Sequence, residues 1–421
     1  MHDIKKPFLR AVAAAFAVAA CGFAQAAELP PGTVISAENI DRIKNDTFEN
    51  HTIASLLTER MEWRIRNSGW KLPLINSKEI LLDPKWLKAS EANAGKTKIN
   101  AETCQVDGWN AGQPFPDVDM KDPQAAEKIV WNWHLGQLAG DTAFAPASQI
   151  LIDGKRGVHA DSTWEYSRFA IKGRLGGDVE GDGDERGRTF VHFKSPADMK
   201  GLGTFSIAYD SAKMPDVWAY IPAVRRVRRL SGGAWMDPIG SSDQLHDDLE
   251  IFNARPCWYT GYKMLEKRWV LAVAHSQTDR VWDRNGKTFE EKFPILDNQP
   301  PFWNMNNNVF EPREVYVIEA ITPPEHPYSK KVLYMDTKYP RIYYGEAYNR
   351  KGEFWKMMDF HSYPAVAEDG FRDMRTSAGA IIDFQRNHAT VFLSEAATWK
   401  TNPPGVTAKD FTLQLLQAGG R

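Results

Sequence analysis

Cysteine is scarce in this 421-residue chain, with three in all: Cys21, Cys104 and Cys257. So few exclude a small disulfide-built scaffold, and neither their spacing nor a neighbouring His points to a metal site. Long apolar runs are also lacking. The one uninterrupted stretch, Ala11 to Ala20, is too short to span a bilayer. There is no surplus of positive charge, because 52 Lys and Arg stand against 54 Asp and Glu. Nucleic acid is therefore a poor fit as a partner, since neutralising phosphates needs a basic surface. A Gly-x-Ser-x-Gly elbow, a phosphate-binding glycine loop and a His-Glu-x-x-His pair are all absent. The signatures of common hydrolases, nucleotide enzymes and zinc peptidases go with them, and no cofactor is called for.

The chain opens with an export pattern. Lys5, Lys6 and Arg10 precede the Ala11–Ala20 run, and Ala24-Gln25-Ala26 supplies the small-x-small triplet of a signal-peptidase site. Residues 1–26 read as a signal peptide and the protein as periplasmic. Anchoring as a lipoprotein through Cys21 is the less favoured alternative, because Val18-Ala-Ala-Cys21 is a weak lipoprotein box. Without the leader, 49 basic residues face 53 acids, as it takes three Lys or Arg and one Asp with it. Cys104 and Cys257 then remain, and in an oxidising compartment they either pair or stay as two buried thiols.

Helical signals concentrate in the first third. Ile53, Leu56, Leu57 and Met61 recur at helical spacing up to Gly69, predicting a helix over 52–67. Asp122-Pro123 reads as the start of a second helix over 123–135. From about residue 160 the pattern turns to strands, with Phe205, Ile207 and Tyr209 alternating and short turns at 349–352 and 385–388. Connections this short imply antiparallel neighbours, and so many twisted strands curl rather than lie flat. The expected fold is α+β, mainly β. A helical extension over 27–159 packs on one large curved antiparallel sheet, an incomplete β-barrel, over 160–421.

Three stretches stand out: Gly187-Arg-Thr-Phe-Val-His-Phe with Pro196-Ala-Asp-Met-Lys-Gly201, Trp218-Ala-Tyr-Ile-Pro222 followed by Arg225-Arg-Val-Arg-Arg229, and Tyr348-Asn-Arg-Lys-Gly-Glu-Phe-Trp355. In this order they resemble motifs of the LolA-like superfamily of outer-membrane lipoprotein-sorting proteins. The upstream pieces Leu29-Pro-Pro-Gly32 and Asp83-Pro-Lys-Trp86 are similar to a subset of exported proteins classed as a domain of unknown function. The resemblance implies a barrel left open around an apolar cavity that carries lipid. For this subset it also implies service to an export pump of the resistance-nodulation-division type and an outer-membrane protein.

The most conspicuous candidate site is the hairpin at 216–229. Trp218 and Tyr220 precede Arg225, Arg226, Arg228 and Arg229, four arginines in five residues. Two readings stay open. One is a solvated hairpin whose long side chains cover apolar surface. The other is a cationic rim, with Arg226 and Arg228 at a cavity mouth facing an anionic headgroup or an acidic partner, and Trp218 and Tyr220 lining the same cavity. Asp243, His246, Asp247, Asp248 and Glu250 cluster tightly and read as a polar segment beside the sheet rather than as acid–base machinery. The acidic run from Asp178 to Glu185 fails the calcium-loop template, because Thr189 stands where the bidentate Glu belongs. The reading is a non-enzymatic periplasmic carrier of a lipid or other hydrophobic molecule. The fifteen tryptophans keep a polysaccharide binder or glycan-processing enzyme as the alternative.

Overall fold

The computed structural model describes residues 26–230, 234–279 and 281–419. The expected leader, apart from Ala26, lies outside the described residues, and Cys21 with it. No helix among the described residues is long and apolar enough to cross a membrane.

One antiparallel sheet of fourteen strands organises the rest. Its strands are β1 (Thr142–Asp153), β2 (Gly157–Ala170), β3 (Glu185–Ser195), β4 (Gly203–Tyr209), β5 (Asp216–Ile221), β6 (Arg226–Arg229) and β7 (Gly261–Ala272). The second half adds β8 (Glu311–Ile321), β9 (Tyr328–Asp336), β10 (Ile342–Asn349), β11 (Phe354–Val366), β12 (Arg372–Asp383), β13 (His388–Ser394) and β14 (Lys400–Thr401). The order is β6-β5-β4-β3-β2-β1-β13-β12-β11-β10-β9-β8-β7, with β14 beside β1. First and last long strands thus meet in the middle, and each half of the chain meanders outward to a free edge. The sheet is open: β6 and β7 end it, as an incomplete barrel requires.

The sheet begins upstream of the expected boundary at residue 160. β1 was hidden by its small residues and by Pro146, which cannot donate to a ladder. Pro146 sits where β1 changes neighbours, from β13 at Ala147 to β14 at Phe144, so no N–H is missed there.

Among the described residues, four helices of more than one turn accompany the sheet: α1 (Glu59–Ser68), α2 (Pro84–Asn93), α3 (Ala125–Gly136) and α4 (Leu413–Gly419). The helix expected over 52–67 is interrupted. A single turn, Ile53–Leu56, ends at extended Leu57, and the Thr58 hydroxyl then caps α1 by accepting from the Met61 N–H. Gly69 closes α1 at φ 66°, where a side chain would be strained. α3 starts two residues later than Asp122-Pro123 implied, and the Asp122 carboxylate accepts from the Gln124 N–H just ahead of it.

Both faces of the sheet are apolar, and the chain covers them with different segments. Residues 35–86, the loop 281–305 and α4 cover one face, which we call the α1 face. α1 docks there through a fully buried ion pair, Arg64 Nη1 to Asp359 Oδ2 at 3.0 Å, with the guanidinium 3.8 Å above the Trp70 ring. The opposite, α3 face is covered by α3 and by the link 234–259 that joins the two edges. Ile129, Val130 and Trp133 meet Ile251 and Phe252 of the link over Ile318, Leu333, Met358 and Phe360. Gly345 is the close approach that makes this possible, because a Cβ there would overlap Ile251.

Cys104 and Cys257 form a disulfide, with Cα atoms 5.8 Å apart and a sequence separation of 153. It ties the segment before α3 to the end of the link, beside Trp131 and Phe115. Closing so long a loop restricts the unfolded chain. Replacing both cysteines by Ser is therefore expected to cost about 2–5 kcal/mol, seen as a lower urea midpoint, with dithiothreitol reproducing the loss in the wild type. An unchanged midpoint would mean that packing alone holds the segment.

Candidate functional site

The arginine hairpin forms as anticipated in outline. Pro222–Val224 makes one tight turn, Arg225 takes φ 51°, and β6 returns along β5. Register then separates the candidate residues. Trp218 pairs with Arg229 and Tyr220 with Val227, whereas Arg226 and Arg228 stand opposite Ile221 and Ala219. Trp218 and Tyr220 therefore lie on the α1 face. Tyr220 is buried there with Phe411 and Leu416, and Trp218 stacks on Phe205 and meets Arg229, which is itself ion-paired to Asp216. Arg226 and Arg228 point to the α3 face and are exposed. The expectation that Trp218 and Tyr220 line a cavity whose mouth Arg226 and Arg228 rim is corrected by the two-residue period of the strands, which puts the two pairs on opposite faces.

Among the described residues, β6 has only one neighbour in the sheet. Unpaired edge strands recruit other chains, and exposed charges blunt that tendency. The opposite edge, β7, is similarly armed with Lys263, Glu266, Lys267 and Arg268. We expect the double change Arg226→Thr, Arg228→Thr to promote self-association, visible as larger species in light scattering. A variant that stays as monodisperse as the parent would remove edge protection as their role.

The acidic cluster is buried in the link and serves it. Asp247 and Asp248 are fully buried around Lys331 of β9, whose Nζ lies 2.9 Å from Asp247 Oδ2 and 2.7 Å from Asp248 Oδ1. Tyr259 donates to Asp247 at 2.5 Å, Tyr328 donates to Asp248 at 2.7 Å, and His326 Nε2 stands 3.4 Å from Asp247. Burial alone would push the Asp247 carboxyl up, but Lys331 and His326 hold it down at about 2. Asp243 accepts from Thr390 at 2.9 Å and faces His388 Nδ1 at 2.6 Å, while its carbonyl accepts from Lys356 Nζ at 2.5 Å. Glu250 takes φ 49° and bonds Arg341 at 2.9 Å and Thr376 at 2.8 Å. His246 is half-buried at the start of this turn. The link thus crosses β13, β11 and β9 by one ionic or hydrogen-bonded tie after another.

The acidic loop is likewise used by the chain itself. Glu185 pairs with Arg188 at 2.7 Å, and the Asp178 carboxylate accepts from the Arg174 N–H at 3.3 Å.

Because Asp247 is depressed, its stabilising contribution is complete above its ordinary pKa of about 4 and fades as pH falls toward 2. Asp247→Asn should lower stability at pH 7 by about 3–5 kcal/mol, since it leaves Lys331 short of a partner. It should also flatten the loss between pH 4 and 2. Urea midpoints across that range check both, and equal midpoints at pH 7 would contradict the clamp.

What sequence reasoning missed lies on the α3 face of β2 to β5. Trp164 and Tyr166 of β2, Val191 and Phe193 of β3, and Val217 and Ile221 of β5 share that face by register. All six are half-buried. None joins the core cluster beneath α3 and the link, which draws on β7 to β13. Trp164 touches Phe392 of β13 edge-on at 6.3 Å, marking where the covered half begins. Beyond Tyr166 on β2 stands Arg168. Arg186 faces the same way because it is the extra residue of a bulge: Ala208 pairs with Gly187 and Tyr209 with Glu185, leaving Arg186 without an opposite. Burial raises the Tyr166 hydroxyl above its ordinary value, against the pull of Arg168. The alternation Trp164-x-Tyr166-x-Arg168 was legible in principle, whereas the bulge was not.

The fold is similar to that of solved structures at low identity. A domain from Vibrio parahaemolyticus that carries the name of outer membrane lipoprotein-sorting protein is 18% identical, over 70% of this chain and 100% of its own, at a TM-score of 0.48. A DUF1329 family protein from Desulfovibrio piger is 15% identical over 70% and 100%, at 0.47. A LolA superfamily protein from Nitrosomonas europaea is 15% identical over 69% and 98%, at 0.37. No curated protein matches the chain. The family model described as "Protein of unknown function (DUF1329)" matches residues 34–417, nearly all of the described chain, and the protein belongs to that family.

Proposed function

We propose that the protein is a periplasmic carrier that binds a hydrophobic or amphipathic molecule along the half-buried strip on the α3 face. The observation that carries this reading is the contrast between the two halves of that face. Over β7 to β13 it is sealed by α3 and the link, and over β2 to β5 six apolar or aromatic side chains lie outside any core cluster. Apolar side chains held at half burial on a rigid sheet offer a preformed surface, and contact with an alkyl chain would remove the remaining area from water. The strip lies on strands of the sheet, so its geometry does not depend on a loop. That the carrier serves an envelope export pump and an outer-membrane protein is part of the same reading, supported by the leader pattern and the motif resemblance.

The glycan reading needed exposed aromatics. Among the described residues Trp63 is the one tryptophan counted with the exposed large apolar side chains, and Trp70, Trp131 and Trp303 are fully buried. A lipid-like cargo fits the strip better.

Native mass spectrometry of the protein purified from its own periplasm should show an adduct of lipid size. The double variant Trp164→Ser, Phe193→Ser should lose it and bind dodecanol at least about tenfold more weakly, with its urea midpoint close to that of the parent. A parent protein with no adduct and no affinity for an alkyl chain would sink the reading.

A further inference from the structure

The end of the strip nearest α3 carries positive charge that the chain leaves unneutralised. Arg168 Nη2 donates to the carbonyl of Ala139 at 3.0 Å and to that of Gly140, and Arg186 Nη1 donates to the carbonyl of His134 at 3.3 Å. Both guanidiniums are therefore drawn to the C-terminal end of α3. Cations are favourable at such an end, so capping alone accounts for part of the arrangement.

Capping does not account for the rest. Among the described residues, the five buried arginines each have a carboxylate: Arg64 with Asp359, Arg255 with Asp210, Arg313 with Asp336, Arg341 with Glu250 and Arg375 with Asp373. Among the described residues, no carboxylate lies within 4.0 Å of Arg168 or Arg186. The Nε atoms of both are buried without an acceptor, as is Nε2 of His134 beside them. Burial, with Arg255 and Arg168 nearby and only partly offset by Asp210, brings Arg186 down to about 10, and burial with Arg186 and Arg255 pushes the His134 imidazole well below its ordinary value. Like charges gathered in a half-buried place, with donors to spare, constitute a site that lacks its anion.

We propose that Arg168 and Arg186 form the anion-binding end of the strip and take the carboxylate or phosphate of an amphipathic molecule. Its alkyl chain lies along Tyr166, Trp164, Val191 and Phe193. This assignment rests on the carrier reading and adds the chemical class of the cargo. Tyr166 sits between the two regions on β2, so a single extended ligand can touch both. Glu250, near Tyr166, is already engaged by Arg341 and Thr376 and does not compete for the two arginines.

The test is calorimetric titration of dodecanoate, dodecanol and inorganic phosphate into the full-length exported protein and its variants Arg168→Gln, Arg186→Gln and Arg186→Lys. The parent is expected to prefer dodecanoate over dodecanol by about ten- to a hundredfold. Each Gln variant should lose most of that preference while keeping its dodecanol affinity, and Arg186→Lys should restore part of it. Equal affinity of the parent for both alkyl ligands would overturn the anion site and leave the carrier reading intact. Binding of phosphate alone, with no affinity for either chain, would overturn the amphipathic assignment in favour of a free-anion site. No binding of any of the three would remove both readings. Thermal melts of the variants separate a lost site from a lost fold.

Discussion

A sheet of fourteen strands that stays open has two apolar faces and two bare edges, and most of the remaining chain is arranged to deal with them. Pairing β1 with β13 puts the two ends of the sheet-forming region at its centre and sends β6 and β7, which are consecutive in the chain, to opposite edges. The link between them must therefore traverse a face. Its ties fall in order along the way: Asp243 at Thr390 and His388 of β13, Asp247 and Asp248 at Lys331 of β9, then Cys257 just ahead of β7. One half of the α3 face is sealed as a consequence of topology, and the other half is left as the strip.

Buried charge takes two forms in this fold, and the difference is informative. Asp247, Asp248 and Lys331 neutralise one another, with tyrosines and backbone groups filling the remaining positions. Such a network adds little net stability over an apolar equivalent, but it fixes the register of whatever it joins. Here that is the position of the link across the strands, for which apolar packing alone would tolerate sliding. Arg168 and Arg186 follow the opposite rule, bringing charge into a half-buried place without bringing the counter-charge. The buried arginines elsewhere are paired with carboxylates, and capping of α3 explains only part of this exception.

Much of the fold was legible in the sequence because strands and turns are local. The hairpin at 216–229, the alternating strand through Phe205, Ile207 and Tyr209 and the turns at 349–352 and 385–388 stand where alternation and turn residues put them. The antiparallel, open, curved architecture followed from short connections and strand number. β1 and the start of β2 escaped notice because Ala-Phe-Ala-Pro-Ala has neither β-branched residues nor a clean period, and its strand identity comes from neighbours on both sides. The site was less legible. Four arginines in five residues drew attention to β6, yet clustering in sequence is what an exposed edge strand needs. Arg186 instead reaches the α3 face through a bulge that only pairing with β4 creates. The separation of Trp218 and Tyr220 from Arg226 and Arg228 was within reach of simple alternation once the turn length was fixed.

The location of the strip also decides how a bound molecule could come and go. The apolar seal of the link and its ties to Lys331, Lys356 and Thr390 lie over β7 to β13, Arg255 reaches Asp210 and the Tyr209 carbonyl at the end of β4, and the disulfide adds a covalent anchor at its far end. The strip lies over β2 to β5, where α4 and its apolar partners back the sheet from the opposite side. Ligand exchange on the α3 face of this half would leave the ties at β9, β11 and β13 in place, and α4 with them. The elements that make the fold stable and the surface that would exchange cargo are therefore separate, so half burial can coexist with a rigid sheet. A binder built this way would release its ligand by competition at the strip, without having to open its core.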